Sequence, residues 1–312
     1  MTTPKTDLAA YYTHIRALLK EHGVECAELE ARILIEDLWL NTEGSTGQKP
    51  LGPLKTLNEA IYGAQSGFIP DSAPIREKID QAVARRAQGE PLARILGYRE
   101  FWKDRFLISP ATLEPRPDTE ILIESVLKKF PHAQNIEAAQ GLKLLDLGTG
   151  SGCILLSLLR EYPHSFGYGI DLSVEALACA RANAERLGCS ARVEFICSNW
   201  CEKLNGDSRF DVIVSNPPYI PCAEIGDLAR NVRDFDPILA LDGGADGLDP
   251  YRELIGSLKH FLSPNGWIFF ECGIGQAEKI AMMAKKSGAV DVEITKDLSG
   301  IERVVEISYG DK

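Results

Sequence analysis

The chain has 312 residues, 45% hydrophobic and 25% charged, with 34 Lys and Arg against 45 Asp and Glu for a formal charge of −11. That composition belongs to a folded globular protein and excludes a disordered, collagenous or low-complexity chain; the length suits two domains, since single cores stop growing near ~250–300 residues. So acidic a chain does not hold nucleic acid through its overall field, because phosphate binding depends on Lys and Arg density. No apolar run approaches the ~20 residues that span a bilayer. No basic segment followed by an apolar stretch opens the chain, so no secretory signal is read and the cytoplasm is the expected compartment. The 8 cysteines form no Cys-x-x-Cys pair and read as small hydrophobes. The 5 histidines are scattered, with no pair at metal-ligand spacing, so no metal is expected.

In chain order, residues 1–95 read as a small helical domain. Leu8, Tyr11, Ile15, Leu18 and Leu19 make one stripe, with Asp7 as N-cap and Gly23 as terminator. Leu29, Ile33, Leu34, Leu38 and Trp39 predict a second, more buried helix, followed by a loop over 41–53. Pro74 opens a third helix carrying Ile75, Ile79 and Val83, closed by Gly89, and no strand pattern is seen in this stretch. Residues 96–117 form a linker. Phe101-Trp102 and Phe106-Leu107-Ile108, parted by three charged residues, predict a β-hairpin, and Pro110, Pro115 and Pro117 punctuate the connector. Asp118 or Thr119 is placed to cap the next helix.

Residues 118–312 form the third part, where strands alternate with helices from about residue 142. Strands are predicted at 142–147, 166–170, 193–197, 210–215 and 267–272, with helices at 152–161, 173–187, 250–262 and 276–287. The last two strands, 290–297 and 303–309, read as an antiparallel hairpin. Alternating βα units imply a mostly parallel sheet covered by helices on both faces.

Two motifs carry chemistry. Asp146-Leu147-Gly148-Thr149-Gly150-Ser151-Gly152 lies between a strand and a helix, where glycines let backbone approach a ligand and the helix N-terminus offers free N–H groups. Its glycine spacing differs from the dinucleotide fingerprint. Asp171, ending the next strand, is placed to accept ribose hydroxyls. The second motif is Ser215-Asn216-Pro217-Pro218-Tyr219, at a strand end where open α/β sheets place ligands. Consecutive prolines fix the backbone and remove two donors. What remains is a pair of acceptors, the Asn216 side-chain oxygen and the Pro217 carbonyl, suited to a planar NH₂ group, with Tyr219 as a flat face. A third candidate, a calcium loop begun by Asp242, fails: Gly244 stands at its third position and no helix leads into it.

The Asp-x-Gly-x-Gly-x-Gly form resembles the first motif of class I S-adenosylmethionine-dependent methyltransferases. Asn-Pro-Pro-Tyr is shared by nucleic-acid amino methyltransferases and glutamine amide methyltransferases. Gly97-Tyr98-Arg99-Glu100-Phe101-Trp102, Pro115-Arg116-Pro117-Asp118-Thr119-Glu120, Leu241-Asp242-Gly243-Gly244 and Leu298-Ser299-Gly300-Ile301-Glu302-Arg303 closely resemble the protein-(glutamine-N5) methyltransferases that modify peptide chain release factors. The resemblance runs from about residue 90 to the end. It implies a Rossmann-like class I fold with a seven-stranded, mostly parallel sheet, S-adenosyl-L-methionine as cofactor and a release factor glutamine as target; the charge and hydropathy lead us to expect no nucleic-acid or membrane partner, and the lack of a heptad run or exposed apolar stripe leads us to expect a monomer. It also implies that Gly148, Thr149, Gly150, Ser151 and Gly152 wrap the methionine part of the cofactor, Asp171 its ribose and Trp200 its adenine. Asn216, Pro217, Pro218 and Tyr219 would then hold the glutamine, with Asn216 also near the methyl, and Arg116 and Glu120 would brace the floor. For Arg116 a salt bridge between linker and catalytic domain is the equal alternative. Glu114, Asn199 and Phe235-Asp236-Pro237 depart from the family pattern. Other readings are a ribosomal-protein glutamine methyltransferase, a nucleic-acid amino methyltransferase and a non-catalytic cofactor-binding adaptor.

Overall fold

The computed structural model describes residues 5–40, 68–70, 74–131 and 141–310. Contacts divide the chain into two units, Met1–Gly97 and Tyr98–Lys312.

In the first unit, α1 (Leu8–Glu21) starts where the Asp7 carboxylate accepts the Ala9 N–H at 2.9 Å and stops at His22, before Gly23 in the left-handed region. It packs on α2 (Ala27–Ile35) and α3 (Pro74–Ala87) around Leu8, Ile15, Leu19, Ala31, Leu34 and Ile79, all under 2% exposed. Arg86 and Glu30 pair across α3 and α2. A short α4 (Leu92–Leu96) closes the unit. Three expectations change. Leu29 is 55% exposed, because the buried stripe of α2 runs through Ala27, Ala31 and Leu34 instead. The helix passes into a π-helical turn at Glu36–Leu40 rather than continuing as α-helix. Two three-residue strands, β1 (Lys5–Asp7) and β2 (Phe68–Pro70), pair antiparallel where no strand was read. The loop expected over 41–53 lies outside the described residues.

The second unit begins with the expected hairpin, β3 (Tyr98–Phe101) and β4 (Asp104–Leu107). Trp102, at its turn, has φ 56, and its N–H donates to Glu120 Oε1 at 2.8 Å. Helix α5 (Glu120–Lys129) follows. Neither expected cap serves it: the Thr119 side chain accepts from Asn216, and Asp118 pairs with Arg303 at 3.0 Å.

The remaining strands are β5 (Lys143–Leu147), β6 (Phe166–Asp171), β7 (Val193–Cys197), β8 (Phe210–Ser215), β9 (Leu262–Glu271), β10 (Asp291–Lys296) and β11 (Glu302–Ser308). They form one seven-stranded sheet in the order β10-β11-β9-β8-β5-β6-β7. Pairing is parallel except at β11, which runs antiparallel to both neighbours. The predicted closing hairpin is present, and β11, its second strand, is inserted beside β9, leaving β10 at the edge. Helices α6 (Cys153–Glu161), α7 (Val174–Arg186), α8 (Asp249–Leu258) and α9 (Ala277–Lys286) connect the strands. One apolar layer, with Leu144, Val212, Val214 and Phe269, packs under α5 and α6; the other, with Leu145, Ile213, Ile268 and Phe270, packs under α8 and α9. Alternate residues of each strand therefore face opposite layers, as the pleat requires. Strand order reverses between β5 and β8, and a crevice opens at their carboxyl ends.

Candidate active site

A cavity of about 410 Å³ lies at that reversal point, its lining drawn from residues between Ala111 and Pro250. The size falls in the ~300–1,000 Å³ range of small-molecule sites.

The glycine loop leaves β5 at Gly148. Gly148 and Thr149 both donate backbone N–H bonds to the Ile170 carbonyl, at 2.8 and 2.9 Å. Gly148, Gly150 and Gly152 all have positive φ, at 73°, 55° and 80°. At Gly152 the need is double, because a Cβ there would also meet Leu156 at 3.1 Å and Ala180 at 3.3 Å. Gly152 is thus a packing and turn residue, buried behind the loop. Gly148, Thr149, Gly150 and Ser151 line the cavity; Gly152 does not.

Two carboxylates support the loop. Asp146 is fully buried; its Oδ2 accepts the Thr149 hydroxyl at 2.7 Å, and its Oδ1 has no hydrogen-bond partner among the described residues. Burial pushes its carboxyl up to about 7, and the nearby Asp171 charge adds to the rise. Asp171 accepts the Gly150 N–H and the Ser173 N–H, each at 2.9 Å, and its carboxyl is raised by burial against those bonds. It both braces the loop and lines the cavity. Trp200, held at φ 41, lies against Gly148, since a Cβ on that glycine would meet the indole at 3.8 Å. Asn199 donates its amide to Glu202 at 2.9 Å and also lines the cavity.

On the opposite wall, the Ser215 hydroxyl donates to the Leu147 carbonyl at 2.7 Å and ties the ends of β8 and β5 together. Asn216 and Pro218 line the cavity; Pro217, between them in sequence, is buried and outside the lining, and among the described residues no N–H reaches its carbonyl. Tyr219 lies outside the lining. Its ring packs on the layer under α8 and α9 beside Gly273, and burial pushes its hydroxyl up to about 12. Its carbonyl accepts the Gln276 amide at 2.9 Å, and Gln276 also bonds the Gly247 carbonyl and the Gly273 N–H. Gln276 therefore locks the Asn-Pro-Pro-Tyr segment to the glycine-rich loop.

Arg116 lines the cavity and donates to Asp236 Oδ2 at 2.5 Å; Asp236 Oδ1 accepts the Glu114 N–H at 3.3 Å. Glu114 in turn pairs with Arg99 at 3.4 Å. Two of the departures noted in the sequence, Glu114 and Asp236, thus meet in space and join two walls of the cavity. Glu120, in contrast, serves the Trp102 turn rather than the floor. Sequence reading missed Thr119 as an acceptor for Asn216, Asp236 as the partner of Arg116 and Gln276 as the partner of the Tyr219 carbonyl.

Comparison with known proteins agrees with this geometry. The family model described as a methyltransferase domain matches residues 138–300. A release factor glutamine methyltransferase of Bradyrhizobium diazoefficiens is 44% identical over 93% of this chain and 91% of its own. One of Geobacter sulfurreducens is 41% identical over 93% of this chain and 92% of its own. The chain belongs to the release factor glutamine methyltransferase family. Among solved structures, the catalytic domain of hMettl16, crystallised with a hairpin of the MAT2A 3′UTR, matches with a TM-score of 0.54 and 17% identity, covering 77% of this chain and 83% of that one. That likeness concerns the fold: the family's catalytic unit is a class I methyltransferase sheet. Among the described residues no helix is long and apolar enough to cross a membrane, and no cluster of metal-ligating side chains is found.

Proposed function

We propose that this chain transfers a methyl group from S-adenosylmethionine to the side-chain amide nitrogen of a glutamine, that of the Gly-Gly-Gln motif in a peptide chain release factor. The observation that carries the proposal is the joining, in one cavity, of the open glycine loop and a wall formed by Asn216 and Pro218.

The residues present fit the cofactor. Beneath the loop lies a buried carboxylate, Asp146, with one oxygen unsatisfied among the described residues. A cationic ligand above it stabilises its ionised form, which burial otherwise disfavours. S-adenosylmethionine carries two such cations and supplies an electrophilic methyl on the sulfonium. Gly148 to Ser151 hold its amino-acid end, Asp171 accepts from its ribose, and the Trp200 face lies against its adenine. Asn199, with its N–H engaged by Glu202, flanks the ring.

Asn216 Oδ1 and the Pro217 carbonyl accept the two hydrogens of the substrate amide. An amide nitrogen is a weak nucleophile because its lone pair is delocalised. Holding both N–H bonds in fixed acceptors aims the nitrogen and favours positive charge developing on it, so the gain is orientation and electrostatic preorganisation. The nitrogen becomes strongly acidic only as the methyl arrives, so its proton leaves late and no strong base is needed; no histidine lines the cavity. The prolines and Ser215 keep the acceptors from relaxing. The helical unit, with its own separate core, is assigned to gripping the protein substrate.

The test is incubation with methyl-labelled cofactor and unmodified release factor, repeated with the target glutamine replaced by alanine. Label is expected in the first protein and absent from the second. Equal label in both overturns the proposal.

A further inference from the structure

We infer that Asn183 is a positioning residue that ties the glycine loop and the linker hairpin together from behind the cavity, so that a cofactor held at the loop steadies the linker wall as well. The inference rests on the reading that Gly148 to Ser151 hold the cofactor.

Asn183 lies in α7, is fully buried and stands outside the cavity lining. Its Oδ1 accepts the Leu107 N–H at 2.7 Å. Its Nδ2 donates to the Leu107 carbonyl and to the Ser151 carbonyl, both at 2.9 Å. One side chain thus clasps both backbone groups of the residue that ends β4 and one backbone group of the glycine loop. Among the described residues no backbone N–H reaches the Ser151 carbonyl, so the amide supplies its donor. Ser151 is 2% exposed, and a carbonyl buried there without a donor is costly.

The position calls for this residue type. Its surroundings offer one N–H and two carbonyls, which need one acceptor and two donors on a single planar group. A primary amide has that set. A carboxylate would set acceptors against both carbonyls, and a hydroxyl carries one hydrogen for two. The buried neighbours on α7, Ala176, Ala180 and Ala184, are small and apolar, so the amide serves the two backbone segments rather than the packing of the helix.

Those segments belong to two sides of the cavity. Ser151 is the last loop residue in the lining. Beyond Leu107 the chain makes a turn, closed by the Thr112 N–H on the Ser109 carbonyl at 3.1 Å, and supplies Ala111, Leu113, Pro115 and Arg116 to the lining. Asp171 ties the loop to β6 through the Gly150 N–H, and Asn183 ties the next residue to the linker. The Cys179 thiol donates to the same Leu107 carbonyl at 3.1 Å, which gives a control that removes a hairpin bond and leaves the Asn183 clasp.

The experiment is amide hydrogen exchange of the full chain with and without saturating S-adenosylhomocysteine, whose binding is followed by calorimetry. Leu107 lies outside the lining, so direct cover by the ligand does not explain a change there. In wild type the ligand is expected to slow exchange at Leu107 at least about fivefold more than at the other hairpin amides. In Asn183→Ala that excess is expected to vanish while the Gly150 N–H still gains protection; in Cys179→Ala it is expected to persist. The kcat for release factor methylation should fall about tenfold or more in Asn183→Ala and stay within about threefold of wild type in Cys179→Ala. No excess at Leu107 in wild type, an excess that survives in Asn183→Ala, an excess lost equally in Cys179→Ala, or one kcat for all three proteins overturns the inference. If Asn183→Ala does not fold, the exchange of wild type and Cys179→Ala decides by the same outcomes. A wild-type chain that binds no S-adenosylhomocysteine, or binds it without protecting Gly150, overturns the reading of the loop and the inference with it. Binding that protects Gly150 without the excess at Leu107 overturns the inference alone. A wild-type chain that shows the excess but leaves release factor unmethylated refutes the proposed function and leaves the role of Asn183 standing.

Discussion

Replacing Asn216 by alanine isolates one of the two acceptors on which the chemistry depends. The side chain is half-buried, fixed by its bond to Thr119, and faces the cavity beside Pro218. Alanine removes one preorganised hydrogen-bonding group from the transition state and leaves the Pro217 carbonyl in place. Loss of one such group costs about 2.7–4 kcal/mol, or roughly 10²–10³ in kcat. The lower end applies here, because the lost partner is neutral and the site is open enough for water to replace it in part. Cofactor affinity should fall far less, since Gly148, Asp171 and Trp200 are untouched. The assay is initial-rate transfer of labelled methyl to unmodified release factor, giving kcat and KM separately, with calorimetric titration of cofactor. A kcat within about threefold of wild type would refute the reasoning.

Gly152→Ala places a Cβ at φ 80 against Leu156 and Ala180. Left-handed strain and overpacking together cost about 2–4 kcal/mol, seen as a Tm lower by roughly 5–15 °C in a thermal melt. Asp171→Ala removes the acceptor of the Gly150 and Ser173 N–H groups. It should weaken cofactor binding by about tenfold or more, with Asp171→Asn intermediate, as read by calorimetry. Asp146 gives a pH signature. Its carboxyl is raised to about 7 in the folded chain, so the stability linked to its proton is full below the ordinary carboxylate range and is lost as pH climbs through about 7. Asp146→Asn has no such proton to lose. The Tm of the variant minus that of wild type should therefore grow from pH 5 to pH 8; a difference that stays constant contradicts the burial account.

The parts of the fold legible in the sequence are those fixed by local periodicity. The βα alternation, the hairpin at Tyr98–Leu107 and the first helix with its Asp7 cap each follow from spacing and turn chemistry within a few residues. The short β1–β2 pair was invisible because three residues show no alternation. The insertion of β11 beside β9 was invisible because edge order depends on which strand covers which core layer. In the site, the glycine loop and Asn216 belong to contiguous motifs and Asp171 follows the loop at the end of the next strand, whereas Trp200 was implied only by the family resemblance. Asp236 and Gln276 could not be singled out. Asp236 reaches Arg116 across 120 positions and Gln276 reaches Tyr219 across 57. Such contacts exist only once the chain is folded. Gly152 shows the limit in reverse: its motif marked it as a ligand contact, whereas the structure uses it to let α6 approach α7.

The most direct measurement is a crystal structure of the chain with S-adenosylhomocysteine and a glutamine-bearing Gly-Gly-Gln peptide. The glutamine amide nitrogen is predicted to sit within hydrogen-bond distance, about 2.7–3.2 Å, of both Asn216 Oδ1 and the Pro217 carbonyl, with the thioether sulfur on its open face. An amide nitrogen bound elsewhere, or an Asn216 that presents its NH₂ to the peptide, would contradict the account.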